Sequence, residues 1–158
     1  MVSYTRGQKF DLHHDAGTLM ANGTVLGEDE AGTPRRLVTV FVYLTTMPEN
    51  VGCTEFPKIG VTVQPVRGKA VFFCNVCPDG QPDSRLVHRG CPVLSDELAI
   101  RKLGLNIWIS DKSLTAYSTM MTPFDHAVSL GKIRLQVTSS LSLSLSLSSS
   151  SSLFALLD

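Results

Sequence analysis

The sequence predicts a mainly β fold, and three observations support that prediction. Short segments rich in β-branched and aromatic residues recur between residues 8 and 110, and turn signals such as Asn-Gly and Pro-Asp-Gly separate them. The chain has 158 residues, of which 43% are hydrophobic, and this suffices for one domain with a sizeable core. Strands of this length and spacing are typical of a sandwich, a barrel or a jelly roll.

Six strands and one helix are predicted. The strands cover residues 8–15, 36–46, 60–66, 68–76, 85–93 and 102–110. The second of them, RLVTVFVYLTT, is apolar at consecutive positions and is therefore expected to be buried on both faces. The helix is predicted over 95–102, because Ser95 can cap it and Asp96 and Glu97 would lie in its first turn.

The composition divides the chain into three parts. Residues 1–112 hold the predicted elements, 113–138 form a C-terminal extension, and 139–158 are a low-complexity tail of Ser and Leu that we expect to be disordered. The start, MVSYTRGQKF, has no apolar signal region. We therefore expect a cytoplasmic or nuclear protein, or a chain truncated at its N-terminus whose full-length form enters the endoplasmic reticulum.

Charge and hydropathy exclude two classes of partner. Lys+Arg and Asp+Glu both number 14, so the net charge gives no electrostatic case for binding nucleic acid. No apolar run is long enough to span a bilayer. The four cysteines are interpreted as incidental: Cys74 and Cys77 form a lone CxxC in a strand that runs into a turn, and Cys53 and Cys91 are isolated, whereas structural zinc sites usually have two pairs.

The segment GQKFDLHHD carries the chemistry. In a strand, residues i and i+2 share a face, so His13 and Asp15 are expected to project together, with His14 directed away. A His-x-Asp pair and one distant His make up the facial triad of non-haem Fe(II) oxygenases, which leaves open positions on the metal. His88 and His126 are the candidates for the third ligand, and His88 is the better one because it lies in a predicted strand.

A cation is expected opposite the metal. Fe(II) with one carboxylate and two neutral imidazoles has a net charge of +1, so a bound dicarboxylate needs one further positive charge at its far end. Lys102 and its neighbour Arg101 can both supply it. Strand parity alone favours Arg101, because Leu103, Leu105 and Ile107 lie on the same face as Arg101.

An ordered set of segments is similar to a known family. These segments are YTRGQKFDLHHD, RRLVTVFVYLTT, VGCTEFP, CPDGQPDSRLVHRGCPVL and KLGLNIWIS, and they extend from Tyr4 to about residue 110. In this set the chain resembles the prolyl 4-hydroxylase-type 2-oxoglutarate- and Fe(II)-dependent dioxygenases. The resemblance implies a double-stranded β-helix, which is a jelly roll, with short helical insertions and with the family's N-terminal elements missing.

The resemblance also implies roles for single residues. His13, Asp15 and His88 match the iron ligands, and no catalytic residue is expected beyond the metal centre. Lys102 matches the lysine that pairs with the distal carboxylate of 2-oxoglutarate, and Tyr4 and Thr39 match positions that hydrogen-bond the same cosubstrate. Two departures are a longer spacing between His88 and Lys102, and Cys53 within the altered VGCTEFP segment. Trp108 is expected in the core, and Gly104 is expected to leave room for a ligand.

The function implied by the resemblance is hydroxylation of peptidyl proline. The cofactors implied are Fe(II) and ascorbate, with 2-oxoglutarate as cosubstrate, O2 as oxidant, and succinate and CO2 as co-products. The partner would be a proline-containing peptide or protein. Two alternatives stay open: the same cofactors acting on a substrate other than proline, and an inactive fragment that binds metal or a partner without turnover.

Overall fold

The regular secondary structure is almost entirely β in the computed structural model, which describes residues 1–27, 34–95, 99–111, 143–145 and 154–157. Within these ranges there is one turn of 3₁₀ helix, Ser84–Leu86. The strands are β1 (Val2–Thr5), β2 (Phe10–His13), β3 (Gly17–Leu19), β4 (Val25–Gly27), β5 (Arg36–Tyr43), β6 (Thr54–Phe56), β7 (Val61–Val63), β8 (Ala70–Cys74), β9 (His88–Gly90), β10 (Arg101–Ser110), β11 (Leu143–Leu145) and β12 (Phe154–Leu157). No helix in these ranges is long and apolar enough to cross a bilayer.

Two antiparallel sheets make up the fold. The larger has the strand order β1-β10-β5-β8-β12-β11, and the smaller has the order β2-β9-β6-β7, while β3 and β4 form a separate hairpin. Most neighbours in the two sheets are not neighbours in sequence: β5 lies between β10 and β8, and β9 lies between β2 and β6. This is the arrangement of a jelly roll, and it confirms the predicted double-stranded β-helix.

The core lies between the two sheets. Its main cluster contains Tyr43 from β5, Phe73 from β8 and Phe56 from β6, all nearly inaccessible to solvent. The Phe56 and Phe73 rings meet edge to face, with centroids 5.1 Å apart. A second, smaller cluster joins Met47, Val93 and Ile100 at the end of the fold near β1. Consecutive apolar residues in β5 and β8 explain why these strands occupy the interior of the larger sheet.

The predicted helix over 95–102 is wrong where the structure describes it. Ser95, Ala99 and Ile100 are not helical, Arg101 and Lys102 begin β10, and 96–98 lie outside the described residues. Pairing with β1 draws Arg101 and Lys102 into a strand that pairs with β5 from Gly104 onward, and such tertiary contacts override a weak local helix signal. The predicted strand over 85–93 is also shorter than expected, because the 3₁₀ turn precedes it.

Several strands were not predicted. β1, β3, β4 and β6 are three or four residues long, which is too short for a periodic signal to stand out from the surrounding loops. In the tail, β12 pairs with β8 and β11 pairs with β12, so the expectation of a disordered tail is wrong for these seven residues. The proposed extension over 113–138 lies outside the described residues.

The register of the strands brings functional candidates together in pairs. His13 in β2 lies directly opposite His88 in β9. Tyr4 in β1 lies opposite Lys102 in β10, and further along β10 Trp108 lies opposite Thr39 in β5. Side chains of directly opposed residues in antiparallel strands project from the same face, so each pair faces one side of its sheet.

Candidate active site

A cavity of about 370 Å³ opens between the two sheets. Strands from both sheets contribute to its wall. The residues that line it are Val2, Tyr4, Phe10, His13, His14, Asp15, Arg36, Thr39, Phe41, Thr54, Phe73, His88, Gly90, Lys102, Asn106 and Trp108. All six residues that the sequence singled out for the site are in this wall, so the fold brings them to one cavity.

Three potential metal ligands converge at one side of this cavity. His13, Asp15 and His88 each offer a ligand atom, and these atoms lie within 4.8 Å of one another. Asp15 Oδ1 is 3.6 Å from His13 Nε2 and 3.9 Å from His88 Nε2, and the two imidazole rings have centroids 4.3 Å apart. Asp15 follows the end of β2 in a tight turn, so its convergence with His13 comes from that turn and not from strand parity.

Hydrogen bonds orient both histidines. Nδ1 of His13 is 2.8 Å from the Asp11 carbonyl oxygen, and Nδ1 of His88 is 2.9 Å from the Leu86 carbonyl oxygen. A carbonyl oxygen only accepts, so Nδ1 carries the proton in each ring, and Nε2 keeps its lone pair for a metal. A backbone carbonyl on the second ring nitrogen is a usual feature of metal-binding histidines.

Asp15 is held by one of its two oxygens. Oδ2 accepts hydrogen bonds from the Thr39 hydroxyl at 2.5 Å and from Trp108 Nε1 at 3.4 Å, while Oδ1 faces the histidines. Burial by itself raises the pKa of the Asp15 carboxyl, but the contacts with His13, His88 and Thr39 together outweigh burial and hold the pKa well below its ordinary value. The carboxylate is therefore ionised at neutral pH.

His88 is neutral at the same pH. Burial lowers the pKa of its imidazole to about 4, although the negative charge of Asp15 acts in the opposite direction. His14, by contrast, is not available as a ligand. Its Nε2 lies 3.0 Å from the Asp83 carbonyl oxygen and its Nδ1 accepts from the Ala16 backbone N–H, so both ring nitrogens are already bound.

This donor set fits a divalent iron. Two neutral imidazole nitrogens and one carboxylate oxygen on a single side of the centre leave the cavity side open for further ligands. The atoms are also close enough for small side-chain movements to bring them to the usual ligand distances of about 2.0–2.2 Å around one ion. In the described part of the chain no other group of acidic, histidine or cysteine side chains is clustered in this way.

Lys102 lines the same cavity. Its residue is 3% exposed, whereas Arg101 is exposed on the opposite face, where it contacts the Ser3 hydroxyl. Within the described part of the chain, the Lys102 ammonium makes no hydrogen bond or ion pair. Burial lowers the pKa of this ammonium to about 8.

Aromatic rings surround the Lys102 ammonium in place of an anion. Nζ lies 5.6 Å from the ring centroid of Phe41, 5.7 Å from that of Tyr4 and 5.8 Å from that of Tyr43. These are contacts at cation–π distance, but they do not neutralise the charge. The arrangement fits an incoming carboxylate, since the ammonium is positioned and still lacks a counter-ion.

Two hydroxyl groups complete this end of the cavity. Tyr4 lies opposite Lys102, and burial raises the pKa of its phenol, which keeps it protonated and able to donate. Thr54, which the sequence did not indicate, accepts a 2.7 Å hydrogen bond from the Tyr43 hydroxyl. Its own proton has no acceptor among the described residues, so it is available to a ligand.

Thr39 is hydrogen-bonded at the metal end of the cavity. Its hydroxyl donates to Asp15 and accepts from the Asn75 side-chain amide at 2.9 Å, so its single proton is committed to the metal end of the cavity. Thr54 therefore fits the cosubstrate position better than Thr39 does. Thr54 lies in the segment VGCTEFP, and the alteration of this segment is the reason that the sequence did not single out Thr54.

Three other expectations need correction. Trp108 is not a core residue: it is 38% exposed, lines the cavity, and packs beneath the Arg36 guanidinium at 3.8 Å. Gly104 does not leave room for a ligand, because a Cβ there would lie 2.2 Å from the Phe41 ring, which already occupies the space. Trp108, Gly104 and Lys102 lie on one face of β10, as the alternation of a strand requires. The inference from parity that Arg101 is the inward cation is wrong, because the face of Lys102 borders the cavity and Arg101 is exposed.

Comparisons with known proteins agree with this geometry. The family model of the 2OG-Fe(II) oxygenase superfamily matches residues 1–110. The chain is 32% identical over 114 residues to prolyl 4-hydroxylase subunit alpha-1 of Gallus gallus, and 30% identical over 128 residues to prolyl 4-hydroxylase 13 of Arabidopsis thaliana. Each match covers 72% of this chain, but only 20% and 42%, respectively, of those proteins.

A solved structure gives the same result. The viral collagen prolyl hydroxylase of Paramecium Bursaria Chlorella virus-1, in its 2OG complex, is similar with a TM-score of 0.54 and 29% sequence identity, over 68% of this chain and 55% of that one. The chain thus spans less than two thirds of the length of these relatives. By fold and family match this chain belongs to the 2OG-Fe(II) oxygenase superfamily, and within it the chain is similar to prolyl 4-hydroxylases.

Proposed function

We propose that the protein is an Fe(II)- and 2-oxoglutarate-dependent dioxygenase that hydroxylates proline in a peptide or protein substrate. The observation that carries this proposal is the pairing, in one cavity, of a three-ligand cluster with a buried ammonium that lacks a counter-ion. The names of the relatives, which are prolyl 4-hydroxylases, support proline as the residue that is modified.

The metal would be held by His13 Nε2, Asp15 Oδ1 and His88 Nε2. When bound, Fe(II) supplies the activation of O2 that converts 2-oxoglutarate to succinate and CO2 and oxidises the substrate. The residues of the chain supply orientation. The Nδ1 hydrogen bonds of the histidines and the Thr39 contact to Asp15 hold the three ligand atoms on one side, so that the other side of the metal faces the cavity.

The cosubstrate would be oriented by its distal carboxylate. Lys102 provides the charge, and the hydroxyl groups of Tyr4 and Thr54 provide hydrogen bonds, which together satisfy a carboxylate that has left water. Phe41 and Phe73 form an apolar part of the wall and exclude water from the space between the two ends. Ascorbate is proposed as the reductant that keeps the iron in its ferrous state.

The test is formation of succinate. The protein is incubated with Fe(II), 2-oxoglutarate, ascorbate and O2, together with a proline-rich peptide or with the same peptide in which alanine replaces proline. We expect succinate and hydroxyproline in a fixed ratio with the first peptide, and neither above background with the second or with the His13→Ala variant.

Two outcomes would overturn parts of the proposal. Succinate production that is stimulated by a different class of substrate, with no effect of proline peptides, would retain the cofactors and reject proline. A protein that binds Fe(II) and 2-oxoglutarate but forms no succinate with any substrate would be a binding fragment without turnover.

A further inference from the structure

Asn75 lies just beyond the end of β8 and is completely buried, although it is polar. Its backbone N–H donates to the Leu37 carbonyl oxygen at 2.8 Å. Its side-chain amide donates twice, to the Arg36 carbonyl oxygen at 3.0 Å and to Thr39 Oγ1 at 2.9 Å. Asn75 is thus fixed on both its main chain and its side chain, and one of its hydrogens is directed at Thr39.

The direction of these hydrogen bonds can be deduced from the groups involved. An amide nitrogen donates and does not accept, so Thr39 Oγ1 must accept from Asn75. The one proton of the Thr39 hydroxyl is then free to go to Asp15 Oδ2, which as part of a carboxylate can only accept. The chain Asn75 to Thr39 to Asp15 therefore has a single polarity and ends on the carboxylate oxygen that faces away from the histidines.

The oxygen of the Asn75 side-chain amide differs from its nitrogen. Asn75 Oδ1 is buried and, among the described residues, has no hydrogen-bond partner. Burying an unsatisfied acceptor is unfavourable, and an apolar residue of similar size would avoid it. The two N–H groups are the part of this side chain that the structure uses.

We propose that Asn75 is a positioning residue for the metal centre: acting through Thr39, it fixes the Asp15 carboxylate with Oδ1 turned toward His13 and His88. This inference rests on the proposed metal-dependent function. It assigns to Thr39 a role at the metal rather than at the cosubstrate, and it gives Asn75 a role that its position outside the cavity wall does not suggest.

A merely structural role predicts different behaviour. If Asn75 and Thr39 served only to tie β5 to β8, their substitution would lower the free energy of unfolding and leave the metal affinity of the folded protein unchanged. A positioning role predicts a weaker metal site in protein that is still folded, because hydrogen-bonding partners of ligands typically affect metal affinity by about 10–100-fold.

The first experiment titrates the metal-free protein with Co(II) and records its visible absorption. Thr39→Val, which keeps the shape and removes the hydroxyl, should weaken Co(II) binding by about 10–100-fold and change the absorption bands. Thr39→Ser, which restores the hydroxyl, should recover both. Thr45→Val is the matched control: its hydroxyl accepts from the Leu103 N–H at 2.9 Å, outside the cavity wall, so its loss should lower stability and leave Co(II) affinity unchanged.

The second experiment is a double-mutant cycle with Asn75→Ala. We expect this substitution to weaken Co(II) binding in the wild-type background and to have no further effect when Thr39 is already Val, because the path to Asp15 is then interrupted. Additive effects would overturn the inference. If Asn75→Ala does not fold, Thr39→Val decides alone, and Co(II) binding equal to wild type would overturn the inference.

These outcomes are separable from failure of the proposed function. A wild-type protein that binds no Co(II) would refute the metal site itself. A wild-type protein that binds Co(II) with an affinity that none of these variants changes would refute only the role of Asn75 and Thr39.

Discussion

The two ends of the cavity differ in how their polar groups are satisfied. At the metal end, the second nitrogen of each ligand histidine and the second oxygen of Asp15 are hydrogen-bonded within the protein. At the other end, the Lys102 ammonium is buried among aromatic rings and makes no ion pair in the described part of the chain. The first end is organised before its ligand arrives, whereas the second is incomplete until an anion binds.

Because of this difference, substitutions at the two ends should affect stability and ligand binding differently. Hydrogen bonds at the metal end stabilise both the fold and the site, so a substitution there is expected to damage both. A buried charge without a partner stabilises neither the fold nor the empty cavity, so its removal is expected to help folding and harm binding. The variants below test this contrast, in order of expected effect.

The largest effect is expected at the ligand histidines. His13→Ala removes one of three ligands and should weaken Co(II) or Fe(II) binding by more than about a hundredfold, since even indirect partners of ligands contribute about 10–100-fold. Metal titration of the purified protein measures this affinity. The neighbouring His14→Ala serves as the control, because His14 bonds to the backbone at Asp83 and Ala16; it should lower thermal stability and preserve metal affinity. Equal losses in both variants would contradict the assignment of ligands.

The next effect is expected at Lys102. Loss of a buried charge-assisted partner costs about 2–5 kcal/mol, so Lys102→Met should weaken 2-oxoglutarate binding by well over tenfold. In the ligand-free protein the same change should raise the free energy of unfolding, because a buried charge without a partner is removed. Calorimetry measures the affinity for 2-oxoglutarate, and denaturant unfolding measures the stability. Arg101→Met should change neither the 2-oxoglutarate affinity nor the free energy of unfolding by much. If Arg101→Met weakened 2-oxoglutarate binding and Lys102→Met did not, Arg101 would be the cation and the assignment of Lys102 would be wrong.

A smaller effect is expected at Thr54. A hydrogen bond to a charged group contributes about 1.5–3 kcal/mol, so Thr54→Val should weaken 2-oxoglutarate binding by roughly tenfold or more while metal affinity stays constant. This is the reverse of the pattern expected for Thr39→Val. If Thr39→Val weakened only 2-oxoglutarate binding and Thr54→Val had no effect on it, the original assignment of Thr39 to the cosubstrate would be correct.

The smallest effect concerns pH. The folded-state pKa of Lys102, about 8, is below its ordinary value, so its ammonium destabilises the ligand-free fold fully below pH 8 and progressively less as the pH rises toward that ordinary value. Binding of a dianion has the opposite preference, because it requires the charged form. We therefore expect that Lys102 causes no pH dependence of 2-oxoglutarate affinity below pH 8. Above pH 8 the affinity should fall by up to about tenfold per pH unit as the ammonium loses its proton. Lys102→Met should abolish this dependence.

The sequence predicted the strands of the interior better than the short ones and the loops. β5, β8 and β10 were recognised because they are the longest strands and are rich in β-branched, aromatic and other apolar residues. β1 and β6 were missed because each spans only three or four residues, and the helix over 95–102 was a local signal that pairing with β1 and β5 overrode.

The candidate site was predictable in part for a similar reason. The identities of His13, Asp15, His88 and Lys102 follow from residue types whose order along the chain is distinctive. Three other properties depend on which neighbour each side chain meets across the sheets. They are the donation of the Thr39 proton to Asp15, the availability of the Thr54 proton and the exposure of the Trp108 ring. No spacing along the sequence encodes such contacts, so these three residues could be assigned only from the structure.

The measurement that tests the two-ended cavity most directly is the affinity for 2-oxoglutarate with and without metal. If both ends act on one molecule, Co(II) should tighten 2-oxoglutarate binding in wild-type protein, and 2-oxoglutarate should tighten Co(II) binding by the same factor. His13→Ala should eliminate this coupling, whereas Lys102→Met should weaken binding of 2-oxoglutarate but retain that of Co(II). Equal 2-oxoglutarate affinity in the presence and absence of Co(II) would show that the two ends do not share a ligand, and would contradict the account.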